Sequence, residues 1–244
     1  MLFPAFFFTF VALTYCAKLP PSFQKCNRKQ PDLKECLLKA AQDGISQLTQ
    51  PVLKEFNFPN VNPLEIPEAT ISAGTGPVQV QQNFTNCKFY GFPSIKYDAF
   101  DWDLEKKTWY LGGLYPELKI NCNYNLDGKI LLLIIKGTGP GSVVMKNLLG
   151  YSNLTYEEVR KKGKTYMKFV TSGITMEPES VYFNFENLFD GDKQLGDNIN
   201  KVLNENWKEV FDDLRSSYSE IVARLFKQFL NILFSKVSIE ELLD

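Results

Sequence analysis

The chain has 244 residues, 44% hydrophobic and 14% aromatic, which supplies enough apolar material for one large core. A formal net charge of −1 and a sequence pI near 5.7 leave no electrostatic footprint for nucleic acid, so no such partner is expected. The lack of any His removes His-based triads, the commonest general base and most catalytic zinc sites.

Residues 1–17 carry no charge and end in small side chains, which reads as a secretory signal, although the basic start of such a signal is missing. The apolar run is too short to span a bilayer comfortably. Cleavage after Cys16 or Ala17 leaves residues 18–244 as a single domain. Four cysteines then remain, Cys26, Cys36, Cys87 and Cys122, an even number that suits an oxidising compartment and allows three pairings. Two sequons, at Asn83 and Asn153, suit the same secreted, extracellular address and mark candidate glycan sites.

Residues 18–31 form an extended entry segment. Asp32 and Glu35 then have capping-box spacing, and Cys36, Leu37, Ala40, Ala41, Ile45 and Leu48 recur at helical spacing, predicting a helix over 32–50 that ends before Pro51. A Cys26–Cys36 bond would staple the entry segment to this helix, closing a small loop worth ~2–3 kcal/mol. Residues 56–67 are punctuated by prolines and read as irregular, and strands then dominate until about residue 185. Val78, Val80, Gln82 and Phe84 alternate with Gln79, Gln81 and Asn83, which turns Asn83 outward. Further strands are expected over 94–104, 108–114 and 118–124, then a turn at 125–128 and a strand over 129–136 that is apolar on both faces. Strands at 164–171 and 180–185 close an antiparallel meander. Cys122 shares the inward parity of Ile120 and Tyr124; whether it is bonded to Cys87 stays open at this level. Gly-Thr-Gly-Pro occurs at 74–77 and 137–140 without the Gly-Lys-Ser/Thr of a phosphate loop, so the glycines are read as strand bends.

From 197 to 235 apolar residues recur in steps of three and four, from Ile199 through Trp207, Phe211, Leu214, Tyr218, Val222, Leu225 and Phe229 to Leu233. The spacing predicts one rod of about 55–60 Å, capped by Asp197 or Asn198. Charges every few residues exclude a transmembrane span, and the wide aromatic stripe argues against a coiled coil. A helix laid along a sheet that curls around it fits best. Gly-x-Ser-x-Gly and the calcium loop of EF-hands are absent, so neither catalysis nor a cofactor nor a metal site is expected. Acid pairs such as Asp101 and Asp103 read as solvated surface.

Three segments together resemble the insect takeout and juvenile hormone-binding protein family: Leu19-Pro20-Pro21-Ser22-Phe23 ahead of Cys26 and Cys36, DGKILLLIIKGTGPGS at 127–142, and LNENWKEVFDDL at 203–214. The ending at 234–243 is similar as well, so the resemblance spans the mature chain. It implies an α+β tubular lipid-binding fold in which a strongly curved antiparallel sheet wraps the long C-terminal helix. It also implies a secreted carrier without catalytic residues, a hydrophobic small-molecule partner such as a juvenile hormone-like terpenoid or fatty acid, and a bonded Cys26–Cys36 pair.

The residues themselves supply a matching picture of the site. The helix stripe offers Phe211, Leu214, Tyr218, Val222, Leu225 and Phe229, and the sheet offers Ile120, Tyr124, Leu132, Ile134, Met145, Phe169, Val181 and Phe183 as facing walls. Ordinary core packing is the competing explanation for each one singly. A terpenoid or fatty chain burying ~400 Å² gains on the order of 10 kcal/mol before ordering costs. Tyr124 or Tyr218 would orient an ester or epoxide oxygen. A monomer without stable membrane insertion is expected. The alternative is an interaction module for lipid or membrane surfaces with no soluble cargo.

Overall fold

The structure, a computed structural model, describes residues 20–48, 58–73 and 76–244. The expected signal at 1–17, residues 49–50 of the first predicted helix and the start of the 74–77 repeat lie outside the described residues. Helix α1 (Leu33–Gln47) is followed by strands β1 (Leu64–Ile71), β2 (Val78–Tyr90), β3 (Lys96–Asp103), β4 (Thr108–Ile130), β5 (Leu133–Lys161), β6 (Lys164–Glu177) and β7 (Ser180–Phe185). Helices α2 (Lys193–Glu205), α3 (Trp207–Phe234) and the single turn α4 (Ile239–Leu242) end the chain.

The sheet is built on the β4–β5 hairpin, whose strands of 23 and 29 residues are far longer than ordinary ones. β4 pairs with β3 along its first half and with β2 along its second, and β1 borders β2. β5 pairs with β7 over Gly141–Lys146 and with β6 over Leu149–Lys161. The order is therefore not a plain meander: β2 reaches β4 past β3, and β7 returns to β5 past β6. The antiparallel sheet curls without closing, and the helices occupy its concave side, in accord with the α+β expectation.

Several strand boundaries differ from the sequence reading: β1 starts at Leu64, inside the stretch expected to be irregular, and β5 and β6 run on to Lys161 and Glu177. Residues 125–128 do not turn, because Leu126 and Ile130 continue the inward alternation, and Gly128 serves close approach to β2, where a Cβ would lie 2.1 Å from the Gln79 carbonyl oxygen. The reversal comes instead at Leu131-Leu132, so the apolar run at 129–136 folds back on itself, with Ile130 opposite Leu133. The strands expected at 108–114 and 118–124 are one, with Pro116 inside it. The glycines at 137–141 admit the chain leaving β7: a Cβ on Gly139 would lie 2.6 Å from the Glu186 carbonyl oxygen.

The predicted rod is two helices. Asn206 breaks it with φ −114° and ψ 23°, and its side-chain amide donates at 2.8 Å to the Val202 carbonyl, which also accepts from the Asn206 backbone N–H at 3.0 Å. α2 starts earlier than expected, since Asp192 rather than Asp197 or Asn198 is the cap and accepts from the Leu195 N–H at 3.0 Å. The break lets α2 follow β7 while α3 follows β6. At 28 residues α3 is about 42 Å long.

Side-chain amides join helices to strands at the open edges. Asn200 and Asn204 of α2 each clasp one β7 residue: Asn204 accepts from the Phe183 N–H at 2.7 Å and donates to its carbonyl at 2.9 Å, and Asn200 does the same at Phe185, both at 2.9 Å. Four helical residues advance about 6 Å and two strand residues about 6.8 Å, so this spacing suits a helix lying along a strand. Asn231 of α3 clasps Phe169 of β6 at 2.8 and 3.0 Å, and Lys227 donates to the Val170 carbonyl at 3.1 Å. Gln42 of α1 repeats the device at β3, donating to the Ile95 carbonyl at 3.0 Å and accepting from the Tyr97 N–H at 2.9 Å. Edge groups that would otherwise lack partners are thereby satisfied.

Both cysteine pairs are bonded, Cys26 with Cys36 and Cys87 with Cys122. The second bond sits at a bulge where the β2–β4 register jumps between Thr85 and Lys88 and Asn86 adopts φ 53°. At α1 the expected capping box does not form: Asp32 has φ −99° and ψ 30° rather than an extended conformation, and its side chain makes no cap bond. The disulfide fixes this end instead. The entry segment is also tied to the C-terminus, where Cys26 N–H donates to the Leu242 carbonyl and Asp244 N–H to the Cys26 carbonyl.

Candidate functional site

Three apolar cavities of about 180, 110 and 110 Å³ follow one another along α3. The first lies between α1, β3, the start of β4 and the end of α3. Ala40, Ala41 and Gly44 on α1 leave room there, with Trp102, Trp109 and Phe234 as wall. The second lies over the middle of β4 and β5, and the third between β2, β7 and the first half of α3. Neighbouring cavities share walls: Tyr97, Leu111, Phe226 and Phe229 border the first and second, and Ile120, Met145, Met176 and Val222 the second and third. The 3–4 spacing of Tyr218, Val222, Leu225 and Phe229 keeps one stripe of α3 on this space from end to end. No Asp, Glu, Lys or Arg lines any of the three among the described residues.

Of the expected lining residues, Ile120, Met145, Val181, Phe183, Phe211, Tyr218, Val222, Leu225 and Phe229 stand on cavity walls. The other five do not. Leu214 and Phe169 are packed in the core at 3% and 2% exposure, Phe169 inside an aromatic cluster with its ring centroid 5.0 Å from that of Trp109. Tyr124 is buried against Phe185 and its hydroxyl donates to the Glu186 carbonyl, so it has nothing left to donate to a guest. Leu132 and Ile134 are 96% and 63% exposed, because the reversal at 131–132 carries them out of the tube. Tyr218 reaches the third cavity with its hydroxyl 3.4 Å from Gln82 Oε1.

Sequence reasoning missed Tyr97 and Tyr115, which bring phenol groups into the wall of the second cavity, beside buried Ser152. Burial pushes the Tyr97 hydroxyl up to about 12 and that of Tyr115 higher still, with neighbouring Tyr97 adding to the effect. Both therefore stay neutral donors at physiological pH. The missed signal was the parity of β3 and β4, which the bulge in β3 between Tyr97 and Ala99 obscures. The α1 contribution was readable from the small residues on its apolar face. Among the described residues no group of three or more His, Cys, Asp or Glu side chains is placed to hold a metal ion.

The sequence model for haemolymph juvenile hormone binding protein matches residues 5–244. Curated relatives include the circadian clock-controlled protein daywake of Drosophila yakuba, 28% identical over 127 residues covering 52% of this chain and 49% of that protein. Daywake of Drosophila melanogaster is 27% identical over 130 residues, covering 53% and 50%. The matched region thus spans about half the length of these relatives. The crystal structure of Epiphyas postvittana Takeout 1 superimposes with a TM-score of 0.79 at 24% identity, covering 90% of this chain and 99% of that one, and so shares the fold. With a family match that runs through nearly its whole length, the chain belongs to the haemolymph juvenile hormone binding protein family.

Proposed function

We propose that this chain is a secreted, monomeric carrier that holds an elongated, uncharged apolar molecule, such as a juvenile hormone-like terpenoid or another lipid, in one tunnel along α3. The observation that carries this reading is the run of three cavities with shared walls and, among the described residues, no charged side chain on any of them. An ionised carboxylate drawn inside would lose its hydration without gaining a cation, so a fatty acid enters protonated or keeps its headgroup outside. The Tyr97 and Tyr115 hydroxyls supply donors for an ester, ketone or epoxide oxygen at mid-length. Residues 1–17 act as the secretory signal, 18–244 as the carrier domain, and Asn83 and Asn153 carry glycans; Asn153 lies exposed on β5 and Asn83 half-buried on β2.

A blocking substitution tests the tunnel. Val222 borders both the second and third cavities. Val222→Trp should sever the passage, weakening a long-chain fluorescent probe by at least about tenfold while a short probe confined to the first cavity keeps its affinity. Equal affinity of both probes for wild type and variant would show that no cargo occupies this space.

A further inference from the structure

The reversal between β4 and β5 breaks the usual chemistry of a hairpin tip. Asn, Asp or Gly is cheapest there because the chain must enter the left-handed region, yet this tip is Leu131-Leu132, with Leu131 at φ 55°. Leu131 is held from within: its N–H donates to the Pro77 carbonyl at 2.7 Å, and its side chain packs on the core. The next three residues face outward, Leu132 at 96% exposure, Leu133 at 40% and Ile134 at 63%. Leu132 is thus almost fully hydrated on an otherwise well-buried chain, at the end of the β4–β5 hairpin remote from α1.

Two exposed lysines bracket this apolar knuckle. Lys129 stands opposite Ile134, and Lys136 lies two residues beyond it on β5. Neither forms a salt bridge among the described residues. Asp127 is opposite Lys136 in register and offsets part of its charge, so Lys129, opposite Ile134, carries most of the cationic character of the tip. We propose that the Leu132–Ile134 knuckle is a docking finger for a phospholipid surface, with its leucines and isoleucine dipping among the acyl chains and Lys129 and Lys136 resting at the lipid phosphates.

Area decides between lipid and protein as the occupant. A stable interface buries about 800 Å² on each partner, and three side chains at a turn fall well short of that. A lipid interface accepts such a small wedge, since its apolar region yields around each side chain and long Lys stems reach back to the headgroups. The contact is shallow and reversible. No helix among the described residues is long and apolar enough to cross a membrane. The finger lies outside all three cavities, so docking and cargo binding are separate measurements, and either fails without the other.

The test is co-sedimentation of the full secreted chain with vesicles of equal parts phosphatidylcholine and phosphatidylserine. Wild type should partition to the vesicles, and Leu132→Glu combined with Ile134→Glu should lower the partition coefficient at least about tenfold. Both positions are exposed, so the far-ultraviolet circular dichroism and the uptake of a short apolar probe should not change. Lys129→Gln with Lys136→Gln should weaken binding several-fold and flatten its salt dependence. A Leu132→Trp variant should bind at least as well as wild type, with a blue-shifted emission that brominated lipid quenches. Equal partition of wild type and the Glu variant would overturn the proposal, as would wild type that stays in the supernatant. Concentration-dependent self-association that the Glu substitutions abolish, without vesicle binding, would overturn it in favour of a second copy of this chain.

Discussion

Removing Asn204 tests whether α2 seals the open edge of the sheet by clasping its backbone. Its side chain holds both the N–H and the carbonyl of Phe183, at 2.7 and 2.9 Å, and Phe183 is 3% exposed. Asn204→Ala leaves that donor and that acceptor without partners, at about 1–3 kcal/mol each, less roughly 0.5 kcal/mol from the better helix propensity of Ala. The net loss should be about 1.5–5.5 kcal/mol, read as a lower urea midpoint at unchanged slope. Asn198 lies on the same helix but faces solvent, so Asn198→Ala controls for composition and should stay within about 0.5 kcal/mol of wild type. Asn200→Ala added to Asn204→Ala should cost less than the sum of the two, because both residues hold the same pair of elements together. A loss for Asn204→Ala no larger than that for Asn198→Ala would refute the reasoning.

Replacing both Cys87 and Cys122 by Ala should cost about 3–4 kcal/mol, more than the ~2–3 kcal/mol for Cys26 and Cys36, because the loop closed is 35 rather than 10 residues; chemical denaturation of the two variants gives the order. Tyr97→Phe should weaken an oxygenated ligand about five- to tenfold and a pure hydrocarbon hardly at all, as titration calorimetry with a matched pair would show; equal losses would remove the donor role. Alkaline stability follows from the buried phenols. Burial raises Tyr97 and Tyr124 to about 12, above the ordinary value near 10 that applies when unfolded, so this stabilisation is complete below pH 10 and is lost as pH rises towards 12. Tyrosinate absorbance should accordingly appear in step with unfolding over that interval, and free titration of all the tyrosines near pH 10 with the fold intact would contradict it.

The long helical stripe and the alternation of β2 were legible because each is a local period that burial on one side enforces. The Cys26–Cys36 bond was legible for the same reason, since a helix of known phase follows directly. The break at Asn206 was not. Asn204 and Asn206 fit the helical pattern as surface residues, and only the neighbouring strand shows that one clasps β7 while the other closes α2. The run at 129–136 misled because a strand buried on both faces and a hairpin with an apolar tip have the same composition; the register of Ile130 with Leu133 distinguishes them. That one reversal moved Leu132 and Ile134 from the expected lining to the surface. Tyr97 and Tyr115 escaped notice because β4 pairs with two different strands along its length, and parity carried across that change has no local marker.

Native mass spectrometry of the chain, expressed through a secretory host and treated with a glycosidase, followed by organic extraction, tests the carrier reading most directly. The cavities along α3 predict one uncharged apolar molecule of a few hundred daltons for each chain, released unchanged into solvent. A chain that emerges empty and takes up no member of a panel of terpenoids, esters and fatty acids would contradict it.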